Sequence, residues 1–290
     1  MICNVCPRMC GAERDEYYGS GVCGMGLNPV VARAAPHMWE EPVISGSKGS
    51  GTIFFSGCNL HCSYCQNYKI SGGSGGEPLS AEQLRKLYFK LIALGVHNIN
   101  LVTPTHFTDV IIRSLYGGLP VPVIWNCGGY ERVETLRRLE GLVDIYMPDW
   151  KYSDPELAAR YSSAPDYPEV VEAAVREMYR QTSPFRMGED GLLKGGTIIR
   201  HLILPGCLDN SFGVIDRVSE LFSPGQVLFS LMSQFTPVEN VPPELNRAIT
   251  HYEHNAANEH MADSGIEDGF CQELGSASES FIPEFDGTGL

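Results

Sequence analysis

The sequence predicts an α/β fold, a partial (β/α)6 barrel of TIM-like type preceded by a short cysteine-rich extension. Three observations carry this expectation. From residue 50 onward, short β-rich runs alternate with amphipathic helical stretches, an order that implies a parallel sheet. Nearly every β run is apolar throughout, as strands buried on both faces tend to be. The 290 residues, 43% apolar and 19% charged, have the length and composition for one sizeable core.

The first run, Thr52 to Phe55, leads into a loop carrying Cys58 to Cys65. A helix from about Ala81 to Leu94 follows, with Leu84, Leu87, Leu91 and Leu94 spaced to bury one face. Asn98 to Val102 is the second strand, stopped by Thr103-Pro104, and a helix runs from Asp109 to Leu115. Val121 to Trp125 and Val143 to Met147 are the third and fourth strands, with a helix from Val133 to Leu139 between them. Two helical segments come next, Pro155 to Tyr161 and Glu169 to Arg180, and residues 184–196 read as a loop. Ile198 to Leu204 and Val227 to Leu231 complete six strands, separated by a helix from Ser211 to Phe222. Beyond Thr236 come helical residues at Glu244 to Thr250, a last short strand at Phe270 to Leu274, and surface residues 275–290. The expected organisation is an N-terminal extension at 1–49, the barrel at 50–236 and a C-terminal extension at 237–290.

A net charge of −14 sets up a field that repels phosphate backbones and anionic lipid, which argues against nucleic acid and membranes as partners. The N-terminus has no charged lead and apolar run, and no stretch approaches the roughly 20 apolar residues of a spanning helix, so a cytoplasmic location is expected. Seven of the ten cysteines crowd into the first quarter of the chain, which without a secretion signal favours metal or cluster ligation over disulfides.

Cys58, Cys62 and Cys65 lie in one loop directly after the first barrel strand, spaced C-x3-C-x2-C. Three thiolates hold three corners of a 4Fe-4S cubane and leave the fourth iron without a protein ligand. S-adenosylmethionine (SAM) can chelate such an iron, and one-electron reduction of its sulfonium yields a 5'-deoxyadenosyl radical. Zinc knuckles and chance groups of buried thiols share similar spacings. The position at the C-terminal end of a barrel strand, where parallel barrels build active sites, favours the cluster. Tyr64, beside the third cysteine, is placed to offer its backbone to the adenine of SAM. Arg200 and His201 sit on the fifth strand, and because neighbours on a strand point to opposite sides, one of them faces the cavity. The expected one is His201.

Several longer motifs accompany this loop: Cys3-x2-Cys6-Pro7-Arg8-x-Cys10-Gly11, Trp39-Glu40-Glu41-Pro42, Asn98-Ile99-Asn100-Leu101-Val102-Thr103-Pro104-Thr105-His106, Tyr146-Met147-Pro148-Asp149 and Met232-Ser233-Gln234-Phe235-Thr236. Through them nearly the whole chain resembles radical SAM proteins of the pyruvate formate-lyase activating enzyme family. The resemblance implies a partial (β/α)6 barrel that binds SAM and abstracts hydrogen from a glycine of a glycyl-radical enzyme. It also implies an electron donor such as flavodoxin or ferredoxin. Such proteins usually carry Gly-Gly-Glu-Pro after the second strand. Here Gly75-Gly76-Glu77-Pro78 comes before the first helix and reads as loop. The resemblance then points to Thr103, Thr105 and His106 as the substitute contact for the SAM amino group. By the same comparison Asn126 meets SAM, Asp149 binds a monovalent cation and Lys151 binds the SAM carboxylate.

Cys3, Cys6, Cys10 and Cys23 form C-x2-C-x3-C-x12-C, and four thiolates complete either a tetrahedral zinc site or a fully ligated second Fe-S cluster. Spacing does not choose between these, and free thiols are the third reading. Cys127, Cys207 and Cys271 are isolated and read as packed small residues. Three functions compete: an activase acting on a protein glycine, a radical SAM enzyme acting on a small molecule or another peptide, and an Fe-S electron-transfer or metal-binding protein. The ligand count discriminates, since an electron-transfer centre would close all four irons.

Overall fold

The computed structural model describes residues 2–276 and 283–290, and its elements alternate along the chain. In order they are β1 (Val30–His37), α1 (Pro42–Ser45), β2 (Ser50–Phe55), α2 (Tyr68–Ser71), β3 (Glu77–Pro78), α3 (Ala81–Ala93), β4 (Ile99–Val102), α4 (Thr108–Leu115), β5 (Val123–Cys127), α5 (Val133–Arg137), β6 (Ile145–Pro148), α6 (Pro155–Ser162), α7 (Tyr167–Thr182), β7 (Arg186–Met187), β8 (Leu193–Leu202), α8 (Leu208–Leu221), β9 (Leu228–Met232), α9 (His251–Asp263) and β10 (Gly269–Cys271). The sheet runs β10-β9-β8-β6-β5-β4-β2-β1-β3 and does not close on itself. Every pairing from β2 through to β10 along this order is parallel. The six expected strands are β2, β4, β5, β6, β8 and β9.

Period-two alternation sorts each strand into an outer and an inner face. Outward residues such as Ile53, Leu101, Trp125 and Tyr146 pack under α3, α4, α5 and α7. A second outer layer joins β8 and β9 to α6, α7, α8 and α9 around Ile199, Phe229 and Leu231. On the inner face, Ile124, Ile145, Met147, Ile198 and Leu228 meet Ile44 of α1, a fully buried residue that fills one end of the barrel. The inner face turns polar toward the strands' C-terminal ends, at Asn126 and Arg200, and that change marks the site.

Several elements depart from the expectation. β1 is a full strand antiparallel to β2, although its Val-Val-Ala-Arg-Ala-Ala-Pro-His sequence has little β preference after the valines. Pairing with the buried strand β2 supplies what local propensity does not. Glu77–Pro78, expected as loop, pairs with β1 at the sheet edge, where a proline without an N–H is tolerated. The expected loop at 184–196 contains β7 and the start of β8, which form an antiparallel hairpin. The helix expected at Glu244 to Thr250 is a short 3-10 turn at Pro243–Leu245, and α9 begins after Thr250. Thr250 and Glu253 form a capping box that fixes this start. The short last strand, β10, spans Gly269–Cys271 and pairs with β9. Of the expected surface tail, residues 277–282 lie outside the described residues. Residues 283–290 return to β1, where Thr288 O accepts from Ala34 N at 2.9 Å and Phe285 packs edge-on to Phe54 at 5.5 Å. β1 and β10, drawn from the two expected extensions, thus both join the barrel sheet.

Leu101 is fully buried in β4, between β2 and β5. Leu101→Ala should lower unfolding stability by roughly 2–5 kcal/mol through lost burial and the cavity left behind. A urea titration should show a lower midpoint with an unchanged slope.

Candidate active site

The cysteine loop leaves β2 through Ser56 and Gly57. Gly57 has φ +81°, and a Cβ there would come within 2.4 Å of Met25 Cγ and 2.9 Å of Cys23 O. Glycine is therefore required where the N-terminal segment crosses the start of the loop. Arg8 grips the loop from that segment: its guanidinium donates to Asn59 O at 2.7 Å, to Ser162 O at 2.7 Å and to Ser163 O. Asn59 Nδ2 in turn donates to Tyr130 O at 2.8 Å, and Ser63 N to Tyr161 O at 2.8 Å. Held in this way, Cys58, Cys62 and Cys65 line one side of a cavity of about 230 Å³.

Two of the sulfurs already accept hydrogen bonds, Cys62 from Ser162 Oγ at 3.0 Å and Cys58 from Leu60 N at 3.4 Å. Burial pushes the Cys65 thiol up to about 12 and raises Cys58, while Lys151 opposes both shifts. Thiols in such surroundings become thiolates when a bound cation compensates their charge. Among the described residues, no three His, Cys, Asp or Glu side chains converge as ligands of one metal ion do. Cys127 also borders the cavity, but its side chain belongs to the outer core, so three thiols face the cavity together. This donor set fits a 4Fe-4S cluster with one iron left to another ligand.

The opposite wall is ionic. Arg200, on the inner face of β8, donates to Asp149 Oδ1 through Nε at 2.9 Å, to Asn126 Oδ1 at 2.7 Å and to Glu40 Oε2 at 3.3 Å. Lys151 Nζ donates to Asp149 Oδ2 at 2.6 Å. Burial works against the Asp149 carboxylate, yet Arg200 and Lys151 together hold it below its usual range. Burial likewise opposes the charge on Lys151, and Asp149 reverses that and raises it. Burial pushes Glu40 up to about 7 in spite of Arg200. Tyr167 fixes the loop after β6: its hydroxyl lies 2.6 Å from Asp149 O and accepts from Lys151 N at 2.9 Å. Gly129 allows this fit, since a Cβ on it would sit 2.3 Å from Asp149 O.

The structure brings Cys58, Cys62, Cys65, Thr103, Asn126, Asp149 and Lys151 to one cavity. Thr103 holds φ +59°, a left-handed conformation rare for a β-branched residue, at the end of β4. Tyr64 borders the cavity, but its ring is buried against Tyr152, Tyr161 and Phe235, which leaves its backbone as the surface available to a ligand. Thr105 and His106 are elsewhere. The Thr105 hydroxyl bonds to Glu131, and His106 is buried with Nε2 2.8 Å from Ser56 O. Burial drops His106 to about 3, so it is a neutral donor to that carbonyl. His201, expected to face the cavity, points outward between Trp150 O at 2.7 Å and Ser211 Oγ at 2.9 Å, and burial drops it to about 4. Arg200 takes the inner position in its place. Asp149 pairs with Lys151 through Oδ2 and with Arg200 through Oδ1. Sequence reasoning missed Glu40 as a site residue, although its Trp-Glu-Glu-Pro motif was visible; it reaches the cavity from the segment between β1 and α1. Gly75 to Pro78 and the cysteines at 3, 6, 10 and 23 do not line the cavity.

Residues 52–184 match the Radical SAM superfamily. That stretch is similar to radical SAM domains. It carries all three loop cysteines, together with Thr103, Asn126, Asp149 and Lys151. By sequence the chain is 27% identical over 264 residues to "Uncharacterized protein MJ0674" of Methanocaldococcus jannaschii, covering 87% of this chain and 71% of that protein. In structure it resembles SuiB of Streptococcus suis bound to S-adenosylmethionine, with a TM-score of 0.50 and 12% identity over 77% of this chain. It resembles methylornithine synthase (PylB) with a TM-score of 0.51 and 14% identity over 76%, which is 70% of that enzyme. HydG, a maturase of the [FeFe]-hydrogenase, gives a TM-score of 0.53 and 14% identity over 79%. The chain spans about half the length of SuiB and of HydG, at 52% and 53%. At these identities the likeness is one of fold. No helix among the described residues is long and apolar enough to cross a membrane.

Glu131, the partner of Thr105, is buried, and burial raises its carboxyl to about 7 despite the Thr105 hydrogen bond. A raised carboxyl keeps its proton in the native state after the unfolded chain has lost it, so it lowers stability as pH rises from about 4.5 through 7. Glu131→Gln should remove that loss. The urea midpoint of the variant, relative to the parent, should rise between pH 5 and pH 7.5 by the equivalent of about 1–3 kcal/mol. Glu40, of the same sign, and His106 and His201, of the opposite sign, are common to both proteins and cancel in the comparison.

Proposed function

We propose that this chain is a radical SAM enzyme, with Cys58, Cys62 and Cys65 holding a 4Fe-4S cluster and SAM bound across the cavity they line. One observation carries the reading: three thiols at the end of β2 face the paired charges of Asp149, Lys151, Arg200 and Glu40 across a single cavity. When bound, the cluster supplies one electron to the SAM sulfonium, releasing methionine and a 5'-deoxyadenosyl radical that abstracts hydrogen. The protein's own residues bind and orient. Lys151, held at its root by Tyr167 and at its tip by Asp149, offers a fixed positive charge to the SAM carboxylate. Thr103 presents strained backbone at the end of β4, and Asn126 is locked by Arg200, so neither reorganises when the ligand arrives. Phe54, Leu60, Leu202 and Met232 add apolar wall that keeps water from a reactive radical.

The finer proposal is that the hydrogen comes from a glycine of a partner glycyl-radical enzyme, with flavodoxin or ferredoxin as donor. The sequence resemblance supports it, and so does Trp39, which lines the cavity while 61% exposed and offers apolar surface suited to a polypeptide.

Reconstituted without oxygen, the protein should give a reduced EPR signal that changes when SAM is added, and should release 5'-deoxyadenosine. Cys62→Ala should abolish cleavage, and a retained product would show that other ligands hold the cluster. Lys151→Ala should bind SAM more weakly by about 1–3 kcal/mol while keeping its cluster iron, as expected for loss of one charge-assisted hydrogen bond. For the finer proposal, mixing with the partner, SAM and reductant should produce a glycyl radical signal on the partner chain. Cleavage of SAM with no such radical on any glycyl-radical enzyme tried would point to the other substrates.

A further inference from the structure

Residues 2–29 make a segment too small for a core of its own, yet it is tightly folded. Isolated bridges join Ile2 to Glu13, Arg14 to Gly19 and Tyr18 to Met25. Cys3 N donates to Ala12 O at 2.9 Å, and Gly11 N to Cys3 O at 3.1 Å. Segments of this size usually need a disulfide or a metal to hold them. All four cysteines here are free thiols, with Cys3, Cys6 and Cys23 buried.

The four thiols are one group. Cys3 and Cys23 both bear electrostatically on Cys6, and Cys3 and Cys10 both bear on Cys23. Cys10 Sγ lies 2.9 Å from where a Cβ on Gly21 would stand, so its sulfur rests on the turn that carries Cys23. Gly11 and Gly24, with φ +61° and +69°, turn the chain immediately after Cys10 and Cys23. Buried Arg14 donates to Cys3 Sγ at 3.6 Å, a contact of the kind that supports a ligand sulfur. As with Cys58, Cys62 and Cys65, the group does not draw together as ligands of a single ion would.

We propose that Cys3, Cys6, Cys10 and Cys23 bind a second 4Fe-4S cluster, closed by four thiolates. The site abuts the first. His61 Nε2 and Val22 O are 2.8 Å apart, and these residues are the immediate neighbours of Cys62 and Cys23. With no iron open, such a cluster makes and breaks no bonds; it accepts one electron from a low-potential one-electron donor and passes one on. That relay rests on the function proposed above, whereas the cluster site does not.

Iron, sulfide and zinc analysis of the full chain, reconstituted anaerobically with iron and sulfide, tests the site. The parent should hold about eight irons and no zinc, two cubanes' worth. The triple variant Cys58→Ala, Cys62→Ala, Cys65→Ala should keep about four irons and an EPR signal indifferent to SAM. Cys6→Ala with Cys10→Ala should lose about four irons and keep the SAM-responsive signal. If that variant does not fold, the triple variant still decides. One zinc per parent chain, or an iron-free triple variant, overturns the proposal. His61→Ala, with iron content unchanged, should slow reduction of the SAM-responsive signal several-fold. An unchanged rate would overturn the relay and leave the second cluster standing.

Discussion

Arg200 is the largely buried charge on which the site depends. A guanidinium removed from water must be met by acceptors in fixed geometry, and this one is met by Asp149 from the loop after β6, Asn126 from β5 and Glu40 from the segment after β1. One side chain thus ties together three strand ends and the N-terminal segment. Because β8 alternates in and out, placing Arg200 inward also turns His201 outward, where it bonds Trp150 O and Ser211 Oγ and burial keeps it neutral. The ionic wall opposite the thiols is therefore a consequence of sheet register as well as of charge pairing.

The cysteine loop depends on a different constraint, the close passage of the N-terminal segment across the start of the loop. Gly57 makes room for Met25 and Cys23, while Arg8 ties the carbonyls of Asn59 and Ser162 to that same segment. Ser162 in turn donates to Cys62. A chain of contacts hence runs from residue 8 through the end of α6 to a cavity-facing sulfur. The N-terminal extension acts as part of the scaffold that presents the three thiols.

Much of the architecture was legible because the outer helices and the six inner strands carry strong patterns. Leu84, Leu87 and Leu91 keep helical spacing, and β4 and β5 are mostly apolar. The elements that escaped notice lack such patterns. β1 is mostly alanine after its valines, and β3 and β7 are two residues each, so their pairing partners decide them. The boundary of α9 was misplaced because the Pro-rich turn before it looked helical, whereas the Thr250–Glu253 cap defines the start.

The sequence by itself determined the cysteine triplet, its place after the first barrel strand, and the presence of Asp149 and Lys151 two residues apart beyond the fourth. Those features are local, written in spacing and strand ends. Only the tertiary structure decided that Glu40 and Arg200 complete the ionic wall, that Thr105 and His106 lie behind it, and that both oxygens of Asp149 are taken by the chain's own cations. The physical reason is that Arg200 meets Asp149 and Glu40 across 51 and 160 positions and His106 meets Ser56 across 50, pairings that no local pattern records.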